Sequence, residues 1–184
     1  AQIPAGRMGG ADEIAAAVFL AGNLASASVL ATATRHLDSE RDVCRVCEIG
    51  SGAWGQATGE APRALRVSVV SELEHASLSF QSIEQWDLAG YLEPLIALSR
   101  AVWRDRAYGD MWSYMLLAEG LVDIVAEFDV KPYDLAALVP IIREAGGRFT
   151  DIDGNESAWN GSSLATNGAL HSAVIECITA AQST

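Results

Sequence analysis

Positive charge is scarce in this chain: 12 Lys and Arg stand against 24 Asp and Glu in 184 residues, a formal net charge of −12. Nucleic acid and anionic membrane surfaces both require basic patches, so neither is expected as a partner. An acidic surface still admits a small phosphorylated substrate, provided a cation mediates. Long apolar runs are missing as well. None reaches the length that spans a bilayer, and the first residues lack the basic flank and long apolar core of a signal peptide. Cysteine is sparse: Cys44, Cys47 and Cys177 are the only three, and with no secretion signal the expected compartment is a reducing cytoplasm. Cys44 and Cys47 have the C-x-x-C spacing of zinc ligands or a redox pair. A zinc site needs a second pair, however, and neither Cys177 nor His36, His75 or His171 sits at matching spacing. Both read as ordinary side chains of a strand-like stretch. Also absent are a Y-x-x-x-K pair, a glycine-rich cofactor loop, and any glycine turn followed by Lys-Ser/Thr.

Half of the residues are apolar and a fifth are charged, a globular composition, and the length suffices for one domain or most of a larger one. Apolar spacing predicts a short helix with Asp12 and Glu13 in its first turn and Ile14, Ala17, Val18 and Ala21 on one face. Strands are expected at 29–34 and 42–49, followed by a tight glycine turn over 50–55. Beyond it the chain alternates: strand 76–80, helix 88–102, strand 103–108, helix 111–119, strand 123–127, helix 135–145, strand 148–151, strand 164–168 and a closing helix 170–181. Alternation of this kind gives a layered α/β fold. Residues 1–28 form an atypical N-terminal segment, and 29–184 an α/β domain.

Asp134 heads an apolar run in which Leu135, Leu138, Val139, Ile142 and Ala145 keep helical spacing. A carboxylate in the first turn satisfies unpaired backbone N–H groups and the helix dipole. The same position suits a carboxylate that meets a metal ion. Spacing alone leaves both readings open.

Neighbouring motifs add to this. Tyr133-Asp134-Leu135-Ala136-Ala137 and Glu144-Ala145-Gly146-Gly147 resemble the W-D-x-A-A and E-A-G-G elements of the inositol monophosphatase family. Arg106-Ala107-Tyr108-Gly109-Asp110-Met111-Trp112-Ser113-Tyr114 is similar to the R-x-Y-G-D-x-W-S-Y element of its histidinol-phosphatase branch, and Ala165-Thr166-Asn167-Gly168 also matches. The resemblance runs from about Cys47 to Ile178. It implies the C-terminal half of the inositol monophosphatase-like (sugar phosphatase) fold, a layered α/β sandwich, and Mg²⁺-dependent hydrolysis of a small phosphomonoester. Histidinol phosphate is the implied substrate, with inositol 1-phosphate the alternative. Asp134 is then a metal ligand and Glu127 a contact to the polyol or amine side of the substrate. Asp110 helps to recognise a cationic substrate, Gly109 lets backbone approach the ligand, and Arg106 steers phosphate. Bland readings stand beside these: a surface acid for Glu127, an N-cap for Asp110, an exposed ion pair for Arg106.

The family's first half supplies a Glu-Glu pair and a D-P-I-D-G-T element, and neither occurs here. Asp151-Ile152-Asp153-Gly154 is a superficial echo that lacks the Pro and Thr. One Asp cannot hold two magnesium ions, so a chain truncated relative to the family, with weak or no activity of its own, is expected. A non-catalytic remnant or half of a split enzyme remains the alternative. Residues 1–28 resemble instead the C-terminal segment of short-chain dehydrogenases, through Ile3-Pro4-Ala5-Gly6-Arg7-Met8-Gly9 and the stretch from Glu13 to Ala21, which suggests a fused or misjoined start. A sheet parted from its usual covering half exposes an apolar face or edge, so a homodimer or self-association is expected.

Overall fold

Two five-stranded sheets organise the chain. The structure is a computed structural model; it describes the backbone of residues 14–21, 28–38, 41–48, 50–57 and 59–183, and the side chains of Cys47 and of 50–183 apart from 58 and 110. The first sheet is an antiparallel meander of β1 (Ile14–Ala21), β2 (Ser28–Asp38), β3 (Arg41–Glu48), β4 (Ala53–Ala57) and β5 (Arg63–Ala64). The helix expected to carry Ile14 through Ala21 is therefore a strand. Every residue from Ile14 to Ala21 is apolar, and spacing cannot separate a helical stripe from a wholly apolar strand. Antiparallel pairing from Ile14↔Arg35 to Ala21↔Ser28 decides the matter. The Pro/Gly turn of residues 3–9 lies outside the described residues. β3 and β4 form the anticipated hairpin around Gly50 and Gly52, both at positive φ. Cys44 and Cys47 both lie on β3; the Cys44 side chain is outside the described residues.

The second sheet has the order β7-β6-β8-β10-β9, from β6 (Ser77–Ser79), β7 (Arg104–Arg106), β8 (Ile124–Phe128), β9 (Arg148–Thr150) and β10 (Ser162–Thr166). β6 is parallel to both β7 and β8, whereas β10 is antiparallel to β8 and β9. Helices α1 (Ile83–Leu88), α2 (Leu92–Ala101) and α6 (His171–Gln182) cover one face. Between the sheets lie α3 (Asp110–Ala118) and α5 (Leu138–Glu144), with α4 (Pro132–Leu135) packed against α5. Period-2 alternation assigns the strands' side chains. On β8, Ile124, Ala126 and Phe128 join Trp86, Leu95, Leu98, Val174 and Ile178 in the outer core; Val125 joins Tyr114, Leu117, Ile141 and Phe149 in the inner one.

Two expected helices differ in the structure. The one expected over 88–102 starts only at Leu92: Leu88 instead ends α1, a helix the periodicity did not show, and Gly90, at φ 79°, separates the two. The 135–145 helix begins earlier, at Pro132, and yields to α5 after Leu135. Pro140 has no N–H for the carbonyl of Ala136, so a continuous helical ladder is interrupted there.

Candidate active site

Three parallel strands, β7, β6 and β8, end on the same side of the second sheet, and ligands in open α/β sheets bind in the crevice outside such carboxyl ends. The residues singled out from sequence fall at two of these ends. Arg106 closes β7, exposed, with its guanidinium donating 2.7 Å to the Asp105 carbonyl. Gly109 follows, in extended backbone (φ −97°, ψ 161°), as the residue that caps α3. A Cβ placed there would meet nothing within 4 Å, so the protein's own packing makes no demand for glycine at this position. Asp110 opens α3; its side chain lies outside the described residues. The third strand end was missed from sequence. Just past β6, Gln81 stands at φ 63°, a left-handed backbone that a residue with a side chain rarely adopts, and its buried Oε1 has no hydrogen-bond partner.

Glu127 is not the surface acid of the bland reading. It is 2% exposed, on the face of β8 that meets α3. The Tyr114 hydroxyl lies 2.9 Å from its Oε2 and Ser113 Oγ lies 3.4 Å from Oε1. Tyr114 Oη is also 2.5 Å from Ser163 Oγ on β10. Burial, and then the Glu127 charge, push the tyrosine well above its ordinary value, with Asp134 contributing as well. Both predicted carboxylates thus bear on one buried hydroxyl. Tyr114 and Ser163 had no functional reading from sequence; a polar side chain on the inward face of the largely apolar α3, and another on β10, were the available signal.

Asp134 occupies the third position of α4 and is exposed. It is not the N-cap: Lys131 is, and the Asp134 carboxylate receives the Lys131 N–H at 3.0 Å. This is the acid half of a capping box. The Lys131 ammonium reaches back to Asp129 at 2.5 Å, and Tyr133 stands out into solvent. A magnesium ion takes near-octahedral oxygen ligation. Among the described residues no group of three or more His, Cys, Asp or Glu is placed to hold a metal ion. The described residues therefore do not by themselves complete a magnesium centre.

The remaining motif residues are structural. Glu144 accepts the N–H of Gly50 at 2.8 Å and of Gly52 at 2.9 Å, clamping the β3–β4 turn to α5. Gly146 turns the chain at φ 91°, and a Cβ on Gly147 would lie 2.8 Å from both Ile142 Cγ2 and the Thr166 carbonyl. The Asp151 carboxylate is 1% exposed and accepts from the N–H groups of Asp153 and Asn155 and from the amides of Asn155 and Asn160. Burial alone would raise its pKa; those bonds hold it below the ordinary value. The D-I-D-G stretch is a loop anchor, not a metal element.

Residues 49–183 match the model of the inositol monophosphatase family. Over 126 residues the chain is 52% identical to a histidinol-phosphatase of Mycobacterium tuberculosis, covering 68% of this chain and 48% of that protein. A histidinol-phosphatase of Streptomyces coelicolor is 43% identical over 120 residues, 65% of this chain and 45% of the relative. The chain thus spans about half the length of the curated relatives it matches. The fold is that of the extragenic suppressor protein suhB from Bartonella henselae (TM-score 0.66, 22% identity, 83% of this chain and 61% of the other). It is likewise that of an IMPase from Thermotoga maritima (TM-score 0.62, 24% identity, 84% and 61%). With the family elements in order and residues 49–183 matched by its model, the chain belongs to the inositol monophosphatase family.

Proposed function

We propose that this chain carries the substrate-facing part of a histidinol-phosphatase-like, Mg²⁺-dependent phosphomonoesterase, and that these 184 residues alone have little or no turnover. The observation that carries the reading is the convergence at one sheet end. Arg106 closes β7 with Gly109 and Asp110 just past it, Glu127 is the penultimate residue of β8, and Asp134 lies in α4, the helix that follows β8. Identity to proteins named histidinol-phosphatase, 52% over 126 residues and 43% over 120, favours that substrate over inositol 1-phosphate. In this reading Asp134 is the single metal-ligating carboxylate among the described residues. Glu127, held by Tyr114, and Asp110 supply negative charge for a cationic amine. Gly109 leaves room for backbone to approach the substrate, and Arg106 draws phosphate from the rim.

The test is phosphate release by the purified chain from histidinol phosphate and from inositol 1-phosphate with Mg²⁺, beside a calorimetric Mg²⁺ titration. The expected outcome is release at background and no sub-millimolar heat. Turnover that requires Mg²⁺ would show that the described carboxylates suffice and overturn the incomplete-site reading. A preference for inositol 1-phosphate would overturn the substrate assignment.

We also propose self-association. Leu88, Val69, Trp103 and Trp159 are each more than half exposed, a load of apolar surface on one chain. A monodisperse monomer in sedimentation at high concentration would contradict it.

A further inference from the structure

The chain has two Asn-Gly pairs, Asn160-Gly161 and Asn167-Gly168, and the fold treats them in opposite ways. Asparagine is chemically labile, most so before glycine, whose backbone nitrogen reaches the preceding amide carbon without a side chain in the way. The reaction needs the asparagine side chain able to turn back on the chain and the glycine N–H uncommitted.

Asn167 meets neither condition. It is 5% exposed, its Nδ2 donates 2.9 Å to Ser68 Oγ and 2.7 Å to the Val70 carbonyl, and its Oδ1 accepts the Leu170 N–H at 3.2 Å. The Gly168 N–H is committed to Thr166 Oγ1 at 3.1 Å. Asn160 is exposed in the loop that enters β10. Gly161 beside it is at φ 76° with open space around its Cα, and its N–H has no hydrogen-bond partner among the described residues. A single bond restrains the Asn160 side chain, from Nδ2 to Asp151 Oδ2 at 2.5 Å.

We propose that Asn160 is a site of spontaneous, age-dependent deamidation, and that the modification releases the loop between β9 and β10. The Gly161 nitrogen attacks the Asn160 side-chain carbon; its proton and the amide group leave as ammonia, and a cyclic succinimide forms. Water then opens the ring at either carbonyl to give aspartate or isoaspartate. The net change is one water consumed and one ammonia released, with no oxidant or reductant.

The consequence follows from what Asn160 holds. Its amide is a donor to the buried Asp151 carboxylate, which gathers Asp153 and Asn155 as well. Deamidation replaces that donor by a carboxylate within hydrogen-bond range of another, and like charges so placed repel. The loop also carries Ala158 and Trp159. With Pro132, Ala136, Val139 and Pro140 these line a groove of about 480 Å³ along α4 and α5. Loss of the latch therefore loosens one wall beside the helix that bears Asp134.

The experiment ages the purified 184-residue chain in mildly alkaline buffer, folded and, in parallel, in urea. Tandem mass spectrometry then assigns the conversion to each asparagine. In the folded chain aspartate and isoaspartate accumulate at 160, while 167, which reacts only after local opening, lags by about tenfold or more. In urea both convert. Equal rates at 160 and 167 in the folded chain, or a folded Asn160 as slow as Asn167, would overturn the proposal. The product's effect is read separately by Asn160→Asp against Asn160→Gln. The aspartate variant should melt at lower temperature and shift Trp159 fluorescence; identical melting and emission would overturn the release of the loop.

Discussion

Acidification should weaken this fold through one imidazole, His171, at the start of α6. The ring is wholly buried between two threonines, Nε2 at 3.0 Å from Thr150 Oγ1 and Nδ1 at 3.0 Å from Thr166 Oγ1. The hydroxyl of Thr150 is spent on the Asp151 carbonyl at 2.7 Å, so Nε2 must carry the proton and donate to Thr150. Thr166 Oγ1 accepts the Gly168 N–H and gives its own proton to Nδ1. The neutral ring is satisfied on both sides. A second proton would find no further acceptor among the described residues and no solvent-exposed edge, and burial, then the Arg148 charge, lowers the pKa from 6.5 to about 4. The unfolded chain, with an ordinary imidazole, takes up that proton first. Stability from His171 is therefore fully present above pH 6.5 and drains away as pH falls toward about 4. At about 1.4 kcal/mol per pH unit, the whole loss is on the order of 3 kcal/mol. Other carboxylates titrate in the lower part of this window. The assay is therefore a difference: urea unfolding of the wild-type chain and of His171→Gln across the window. The wild type should lose about 1 kcal/mol more per pH unit than the variant. Parallel curves, or a ring that titrates near 6.5 by NMR, would refute the reasoning.

Other substitutions separate the structural motif residues from the proposed functional ones. Gly147→Ala forces a Cβ against the Thr166 carbonyl and Ile142, and should cost about 2 kcal/mol in urea unfolding; an unchanged midpoint would contradict the close approach. Glu144→Ala strips the acceptor from Gly50 and Gly52, at about 1–2 kcal/mol, and those two amides should gain the most in hydrogen exchange. Asp134→Asn, exposed and bonded only to its own helix start, should change stability by no more than about 1 kcal/mol. A larger loss in denaturant titration would mean the acid is retained for folding and not for a ligand.

The sequence by itself determined the alternating α/β order from residue 76 onward, because apolar periodicity there is long enough to separate strand from helix. It also pointed to Asp134, Glu127, Gly109, Asp110 and Arg106, through motifs whose order is linear. The β1 segment was not legible: an all-apolar stretch carries no period, and only pairing with β2 makes it a strand. Nor was the break between Leu135 and Leu138, where Pro140 lacks the N–H that would bond the Ala136 carbonyl despite good helical spacing. Tertiary structure alone decided that Glu127 is buried beneath Tyr114, since which face of β8 meets α3 is a property of the sheet. It decided too that Asp151 anchors a loop and that one Asn-Gly pair is locked while the other is open. Identical dipeptides differ there only in what the fold brings to their donors and acceptors. Charge and motif are written along the chain; burial and partnership arise only when distant segments meet.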